Sequence, residues 1–328
     1  MRVLYVSSGG GEDYQRDVLF HGLRELLGSD AVDVGRIDSL YRQPDEAKHA
    51  LYGRGYTVYA TLPAIDVDRT DIEDRIRSGY FNLIVFGSIH RCTDYLNLVL
   101  RSYPPNRVAF VDGEDESRVK WPLLGKGVYF KRELPQPLMP FLQPIHFAVP
   151  AEKFLDDRTF EEQLLHKTRK FAPCDPRDRS TYVFNTEHAY YRQYQEAYFG
   201  ITMKKAGWDC MRHHEIVACG AAPYFLGLED CPPWTLHKLP RSLLTELRDL
   251  ADGEGEAVRT DSHGRYAELV RRLFDHYKRN FTTRALAEYF LQAMADSAEV
   301  ENLRTNAWLL QSRRLMNSCR SKAAMRRS

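Results

Sequence analysis

Apolar and polar positions along this chain switch between two rhythms. Short β-branched and aromatic runs at Arg2–Val6, Phe81–Phe86, Val108–Val111, Val128–Lys131, Phe199–Met203 and Ala222–Leu226 predict strands, some of them buried on both faces. Between them, apolar residues recur at helical spacing. In Tyr14–Leu27 the stripe is Val18, Leu19, Leu23, Leu26 and Leu27. Further helices are predicted at 71–78, 96–101, 160–171, 188–197, 210–219, 241–251, 262–277 and 283–293, and short strands at 31–34 and 181–184. Strands alternating with helices predict an α/β fold with parallel sheets. Pro135–Pro150 holds Pro137, Pro140 and Pro144 as well and reads as a linker. The expected organisation is therefore a Rossmann-like unit at 1–148, a second at 149–300, and a C-terminal helix with a basic tail at 301–328. Two such units face each other across a cleft, and open α/β sheets bind ligands beyond the carboxyl ends of their strands.

Composition narrows the function classes. At 328 residues, two domains are expected. Lys and Arg number 46 against 45 Asp and Glu, so no global basic surface points to nucleic acid. The six cysteines form no CxxC pair and read as free thiols in a reducing compartment. No apolar run is long enough to span a bilayer and the chain opens on a strand, so a cytoplasmic protein is expected. The segment from Ser312 onward is basic and without acid. It is open to two readings, a solvated tail or a weak contact with an anionic surface.

The densest candidate chemistry is Lys204–Phe225. Lys204 and Lys205 follow a strand. Arg212, His213, His214 and Glu215 lie on the next helix, and Gly220 releases the chain into another strand. Cations at a helix entrance suit a diphosphate. A carboxylate one turn on suits sugar hydroxyls. The plain alternative is an i, i+3 ion pair between Arg212 and Glu215 on a solvated face. Adjacent histidines point about 100° apart on a helix, so His213 and His214 are not expected to share a metal.

The loop Ser8-Gly9-Gly10-Gly11 joins a strand to a helix, where backbone can approach a ligand. It matches neither the dinucleotide nor the P-loop pattern, so an NAD-linked or methyl-transfer enzyme is the weaker reading. It serves either as an acceptor or phosphate loop or as a plain turn. Asp112, Glu114 and Asp115 end one strand and His90 follows another. Each is a candidate base for an acceptor hydroxyl, and each has a capping or packing alternative. Tyr190, Tyr191 and Tyr194 offer an aromatic face for stacking or for packing on a sheet.

The run Arg212-His213-His214-Glu215-Ile216-Val217-Ala218-Cys219-Gly220-Ala221-Ala222-Pro223 resembles the R-x-x-E-I-x-A-x-G-x-x-P signature of GT-B fold glycosyltransferases. The similarity is to the group 1, exostosin-like and spore-maturation-type branches. Arg284-Ala285 is similar to the end of a C-terminal helix motif of the same proteins. The resemblance implies that Glu215 holds the hydroxyls of a nucleotide-diphosphate sugar and that Lys204, Lys205 and Arg212 hold its diphosphate. It implies a metal-independent transfer to a glycan, lipid-linked or other hydroxyl acceptor, with no cofactor beyond the nucleotide sugar. Many retaining members carry a glutamate eight positions before the helix glutamate, where this chain has Gly207. A non-catalytic nucleotide- or glycan-binding protein on the same fold is the alternative.

Overall fold

The apolar runs become strands because helices cover both of their faces. Val3–Val6 (β1), Leu83–Phe86 (β3) and Val108–Asp112 (β4) are buried along their whole length, as central strands of a parallel sheet are. A computed structural model describes residues 1–42, 50–137, 141–253 and 260–298. With Ala31–Val34 (β2), Val128–Lys131 (β5) and Leu142–Pro144 (β6), these strands form a six-stranded sheet in the order β2-β1-β3-β4-β5-β6, every pair parallel. A second parallel sheet orders Arg169–Phe171 (β7), Ala197–Met203 (β8) and Ala222–Leu226 (β9) as β7-β8-β9. The expected α/β class, with two Rossmann-like parallel sheets and a helical C-terminal part, is what forms.

In the first sheet Tyr14–Leu27 (α1) covers one face and Ile72–Arg77 (α2) with Leu96–Ser102 (α3) the other. Val3, Tyr5 and Val85 join α1's Val18, Leu19 and Leu23 in one core. Leu4, Ile84 and Phe86 join Ile72, Ile76 and Val99 in the second. The strand order reverses between β1 and β3, so the loops after those strands flank a crevice where such sheets take ligands. Those loops hold Ser8–Gly11 and His90.

Asp157–Leu165 (α4), Glu187–Gln195 (α5) and Met211–Ala218 (α6) belong to the second sheet, followed by Arg241–Gly253 (α7) and Thr260–Asn280 (α8). The last described helix, 283–298 (α9), returns to the first sheet. The Phe290 ring packs tilted against Phe130 of β5 with centroids 4.7 Å apart, and Tyr289 donates to the Pro144 carbonyl of β6 at 2.8 Å.

Three local expectations change. The stretch read as one helix at 160–171 is α4 followed by β7. The buried Lys167 ammonium donates to the carbonyls of Gln195 and Ala197, tying the α4–β7 turn to the start of β8. The run 181–184 is no strand; it follows a single 3-10 turn at Arg179–Thr181. The proline-rich stretch contains β6, which sits at the sheet edge, where a proline removes no needed ladder bond. The helix expected at 303–310 and the basic tail lie outside the described residues. Among the described residues, no helix is long and apolar enough to cross a membrane.

Candidate functional site

Helix α6 is set in place by the turn before it. Asp209 is buried there and bonds four ways. Its N–H donates to Glu133 Oε1 at 3.0 Å, and its carbonyl accepts from Arg132 Nη1 at 2.6 Å. Its carboxylate accepts from the Phe147 N–H at 2.7 Å and pairs with His214 Nε2 at 2.9 Å. Burial would raise the Asp209 pKa; the hydrogen bond and charge of His214 outweigh it and bring it down to about 2. Arg132 and Glu133 follow β5, so this turn ties the second unit to the carboxyl edge of the first sheet.

Gly207 lies against the same residues. A β-carbon there would sit 2.6 Å from Glu133 Oε1, 2.8 Å from Arg132 Nη1 and 2.8 Å from Asp115 Oδ1. No side chain fits. The place beside residue 207 already holds a carboxylate, supplied by Glu133 of the other unit.

One turn into α6, Glu215 is buried between the units. Its Oε1 accepts from Thr57 Oγ1 at 2.6 Å and its Oε2 from the Tyr190 hydroxyl at 2.7 Å. Burial raises its pKa against those two hydrogen bonds. The carboxylate thus reads a pair of hydroxyls, one from each unit. Tyr191 extends the cluster by donating to Thr57 Oγ1 at 2.7 Å.

Arg212 does not pair with Glu215, so the plain i, i+3 reading of the helix does not hold. Its Nη2 bonds the Tyr182 hydroxyl, while Nε and Nη1 are buried with no partner. Burial opposes its charge, but Tyr190, Tyr194 and Tyr182 hold its pKa above the ordinary value. Two buried N–H groups of a charged guanidinium without an acceptor fit an anionic ligand. Lys204 and Lys205 are exposed on the preceding loop. The Lys204 ammonium lies 5.2 Å from the centre of the Trp208 ring, and that of Lys205 bonds the Pro176 carbonyl at 2.6 Å.

His213 and Gly220, expected beside a donor, have structural positions instead. His213 Nε2 meets the Trp208 carbonyl at 2.7 Å and so carries the proton; Nδ1 accepts from Thr202 Oγ1 at 2.7 Å. Neither nitrogen is left for a ligand, and burial lowers the pKa to about 3. Gly220, with φ 73°, closes the carboxyl end of α6, its N–H donating to the Val217 carbonyl. A β-carbon on it would meet Leu155 and Phe160 at 3.2 Å.

On the first sheet, the three carboxylates after β4 separate in role. Asp112 is fully buried and accepts from Lys131 Nζ at 2.8 Å and from the Tyr129 hydroxyl at 2.5 Å. It also holds His90 Nε2 at 2.9 Å. Burial raises its pKa, but the Lys131 charge and these bonds carry it below the usual value. Asp112 is thus an anion that orients His90, which remains 31% exposed at its side chain. Asp115 is paired with Arg132, and Glu114 lies 3.8 Å from Arg91.

The glycine loop is shaped from inside. The buried Arg16 guanidinium donates to the carbonyls of Gly10 at 3.2 Å and Gly11 at 2.6 Å and pairs with Asp17 at 2.6 Å. Gly9, φ 72°, packs against the backbone of Gly35 and Arg36, where a β-carbon would meet atoms at 2.8 Å. Gly10 and Gly11 face open space. The Asp13 side chain caps α1 by accepting from the Arg16 N–H, and Ser8 is exposed beside it. A carboxylate at that helix start weighs against a phosphate there and suits a neutral hydroxyl ligand.

Thr57 carries no local sequence signal, since its partners Glu187, Tyr191 and Glu215 are 130 or more residues away. A surface hollow of about 570 Å3 lies between α2 and α3, lined by Arg77, Asp94, Tyr95 and Arg101 among others. It contains none of the candidate residues. Among the described residues, no group of three or more His, Cys, Asp and Glu is placed to hold a metal ion.

No protein-family model matches the chain, and no curated protein matches it. Among solved structures, it is similar to an alpha-glucosyltransferase in complex with UDP and a 13-mer DNA containing a HMU base. That alignment covers 90% of this chain and 99% of the other at 10% identity, with a TM-score of 0.42. An alpha-glucosyltransferase with UDP and a 13-mer DNA containing a central A:G mismatch aligns over 89% and 95% of the two chains, at 12% identity and a TM-score of 0.35.

Proposed function

We propose that this chain is a GT-B type glycosyltransferase that moves a sugar from a nucleotide-diphosphate sugar to a hydroxyl acceptor. The observation that carries this reading is the pairing on α6 of a buried carboxylate that reads two hydroxyls with an arginine whose Nε and Nη1 have no acceptor. A diol beside a phosphate is the ligand chemistry that uses both. In this reading Glu215 holds the donor's hydroxyls. Arg212, Lys204 and Lys205 meet the charge of the diphosphate, without a metal ion.

The acceptor lies on the first unit, over Gly10 and Gly11. His90, oriented by Asp112, takes the acceptor hydroxyl's proton as its oxygen bonds the anomeric carbon and the bond to the diphosphate breaks. Closure of the two units excludes water from that step. The acceptor class, glycan, lipid-linked or other, and a cytoplasmic location are part of the proposal. A second reading, nucleotide or glycan binding without turnover, is favoured by one observation: Thr57 and Tyr190 already occupy both oxygens of Glu215.

Calorimetry with UDP, GDP, ADP, TDP and CMP tests the binding step, on wild type, Arg212→Met and Glu215→Gln. One nucleoside diphosphate is expected to bind, and each variant to weaken it about tenfold to hundredfold, the worth of a charge-assisted hydrogen bond. Turnover of the matching sugar donor is then followed with and without EDTA. The acceptor panel includes short DNA, named with both similar glucosyltransferases. If no diphosphate binds, or both variants bind as wild type does, the donor-site reading is wrong. Binding without turnover on any acceptor supports the second reading.

A further inference from the structure

We propose that Thr57 is a built-in mimic of a ligand hydroxyl, and that the strap carrying it must leave Glu215 before a donor can bind. This rests on the donor-binding reading of Glu215. Thr57 is a buried β-branched residue at φ 74°, a conformation such residues rarely adopt. Its surroundings share the distortion, since Gly53, Arg54, Gly55 and Ala60 also have positive φ.

What holds Thr57 there comes almost wholly from the second unit. Its N–H donates to Glu187 Oε1 at 2.7 Å, its Oγ1 donates to Glu215 Oε1 at 2.6 Å, and the Tyr191 hydroxyl donates to that Oγ1 at 2.7 Å. Lys153 completes the set by pairing with Glu187 at 2.8 Å. The neighbouring Tyr56 ring stacks on Tyr190, the other hydroxyl on Glu215, at 5.8 Å. A strained conformation persists only while its surroundings over-determine it. Here one of the over-determining groups, Glu215, is the one a donor would claim. A diol arriving at Glu215 therefore removes one of the restraints that keep Thr57 in place, and the segment 56–61 relaxes as the ligand takes over.

The strap also reaches the acceptor side. Two residues on, the Tyr59 hydroxyl donates to Asp17 at 2.9 Å, and Asp17 pairs with the Arg16 that grips the carbonyls of Gly10 and Gly11. Donor arrival is thus linked through packed, hydrogen-bonded groups to the loop over which the acceptor would lie.

The test compares wild type, Thr57→Val and Thr57→Gly by calorimetry with the nucleoside diphosphate selected above, alongside amide hydrogen exchange of wild type with and without it. Thr57→Val removes the mimic hydroxyl but keeps the branched side chain; Thr57→Gly also removes the strain. Both are expected to bind about tenfold tighter or more, since the ligand no longer displaces a charge-assisted hydrogen bond. Exchange at residues 56–61 of wild type is expected to speed up when the nucleotide is bound. If wild type binds a diphosphate but the variants bind no tighter and 56–61 stay protected, the mimic is refuted and the donor site stands. If wild type binds none of them, the donor-site reading and the mimic fall together.

Discussion

Asp209→Ala probes the turn that positions α6. The backbone bonds of residue 209 to Glu133 and Arg132 survive the change, but both side-chain acceptors disappear. The Phe147 N–H and the His214 Nε2–H are left buried without partners. Each orphaned donor costs about 1–3 kcal/mol, so the loss is expected at about 2–6 kcal/mol. That is a large share of the roughly 5–15 kcal/mol that keeps a protein folded. Asp209→Asn is the informative partner. Its carbonyl can accept from Phe147, and its amide can donate to His214 once that ring moves its proton to Nδ1, which has no partner. The cost then falls to about 1–2 kcal/mol. Urea unfolding followed by tryptophan fluorescence and circular dichroism reads both. The pH dependence adds a check. The Asp209 pKa, lowered from 3.8 to about 2, makes a contribution of about 2 kcal/mol that is complete above 3.8 and lost as pH falls towards 2. The wild type's advantage over Asp209→Asn should shrink across that window. Asp209→Ala within about 1 kcal/mol of wild type, or Asp209→Asn as damaging as Asp209→Ala, would refute the reasoning.

Gly22→Ala in α1 should lower the melting temperature. A β-carbon there would lie 1.9 Å from the Thr283 carbonyl oxygen, and overpacking of about 1–3 kcal/mol outweighs a gain of about 1 kcal/mol in helix propensity; a rise in melting temperature would count against it. His146 and His237, whose rings lie 5.4 Å apart, are held neutral by burial, with pKa values lowered from 6.5 to about 4 and about 2. Because the unfolded state takes up protons first, their contribution should be steady above about pH 6.5 and fall below it, towards pH 4 for His146 and towards pH 2 for His237. Neither His237 nitrogen has a partner, so His237→Phe should lessen the loss between pH 7 and pH 5 in urea unfolding; an unchanged slope would contradict this.

The strands and the α6 segment were legible because their signals are local. Val128–Lys131 and Ala222–Leu226 are bounded as their apolar runs suggest, and Gly220 ends α6 where the pattern of periodic residues stops. Beta7 was hidden because three residues carry no period, and it forms by pairing with β8. The charges on α6 pointed to a ligand, but sequence could not sort them. His213 and His214 are taken up by Trp208, Thr202 and Asp209, leaving Arg212 and Glu215 as the groups proposed to meet a ligand. Thr57 was out of reach, since its role depends on Glu215, 158 residues away, and on a backbone angle that threonine seldom takes.

The close fit at Gly207 has a consequence for how this chain can change over generations. A residue with any side chain there meets the buried Glu133 and Arg132, so substitution at 207 requires their side-chain ends to shift from their present bonds. A shorter residue at position 133 is one way to make that room. Sequences descended from a common ancestor should then tend to carry a small residue at 207 where 133 is long, and a shorter residue at 133 where 207 has a side chain.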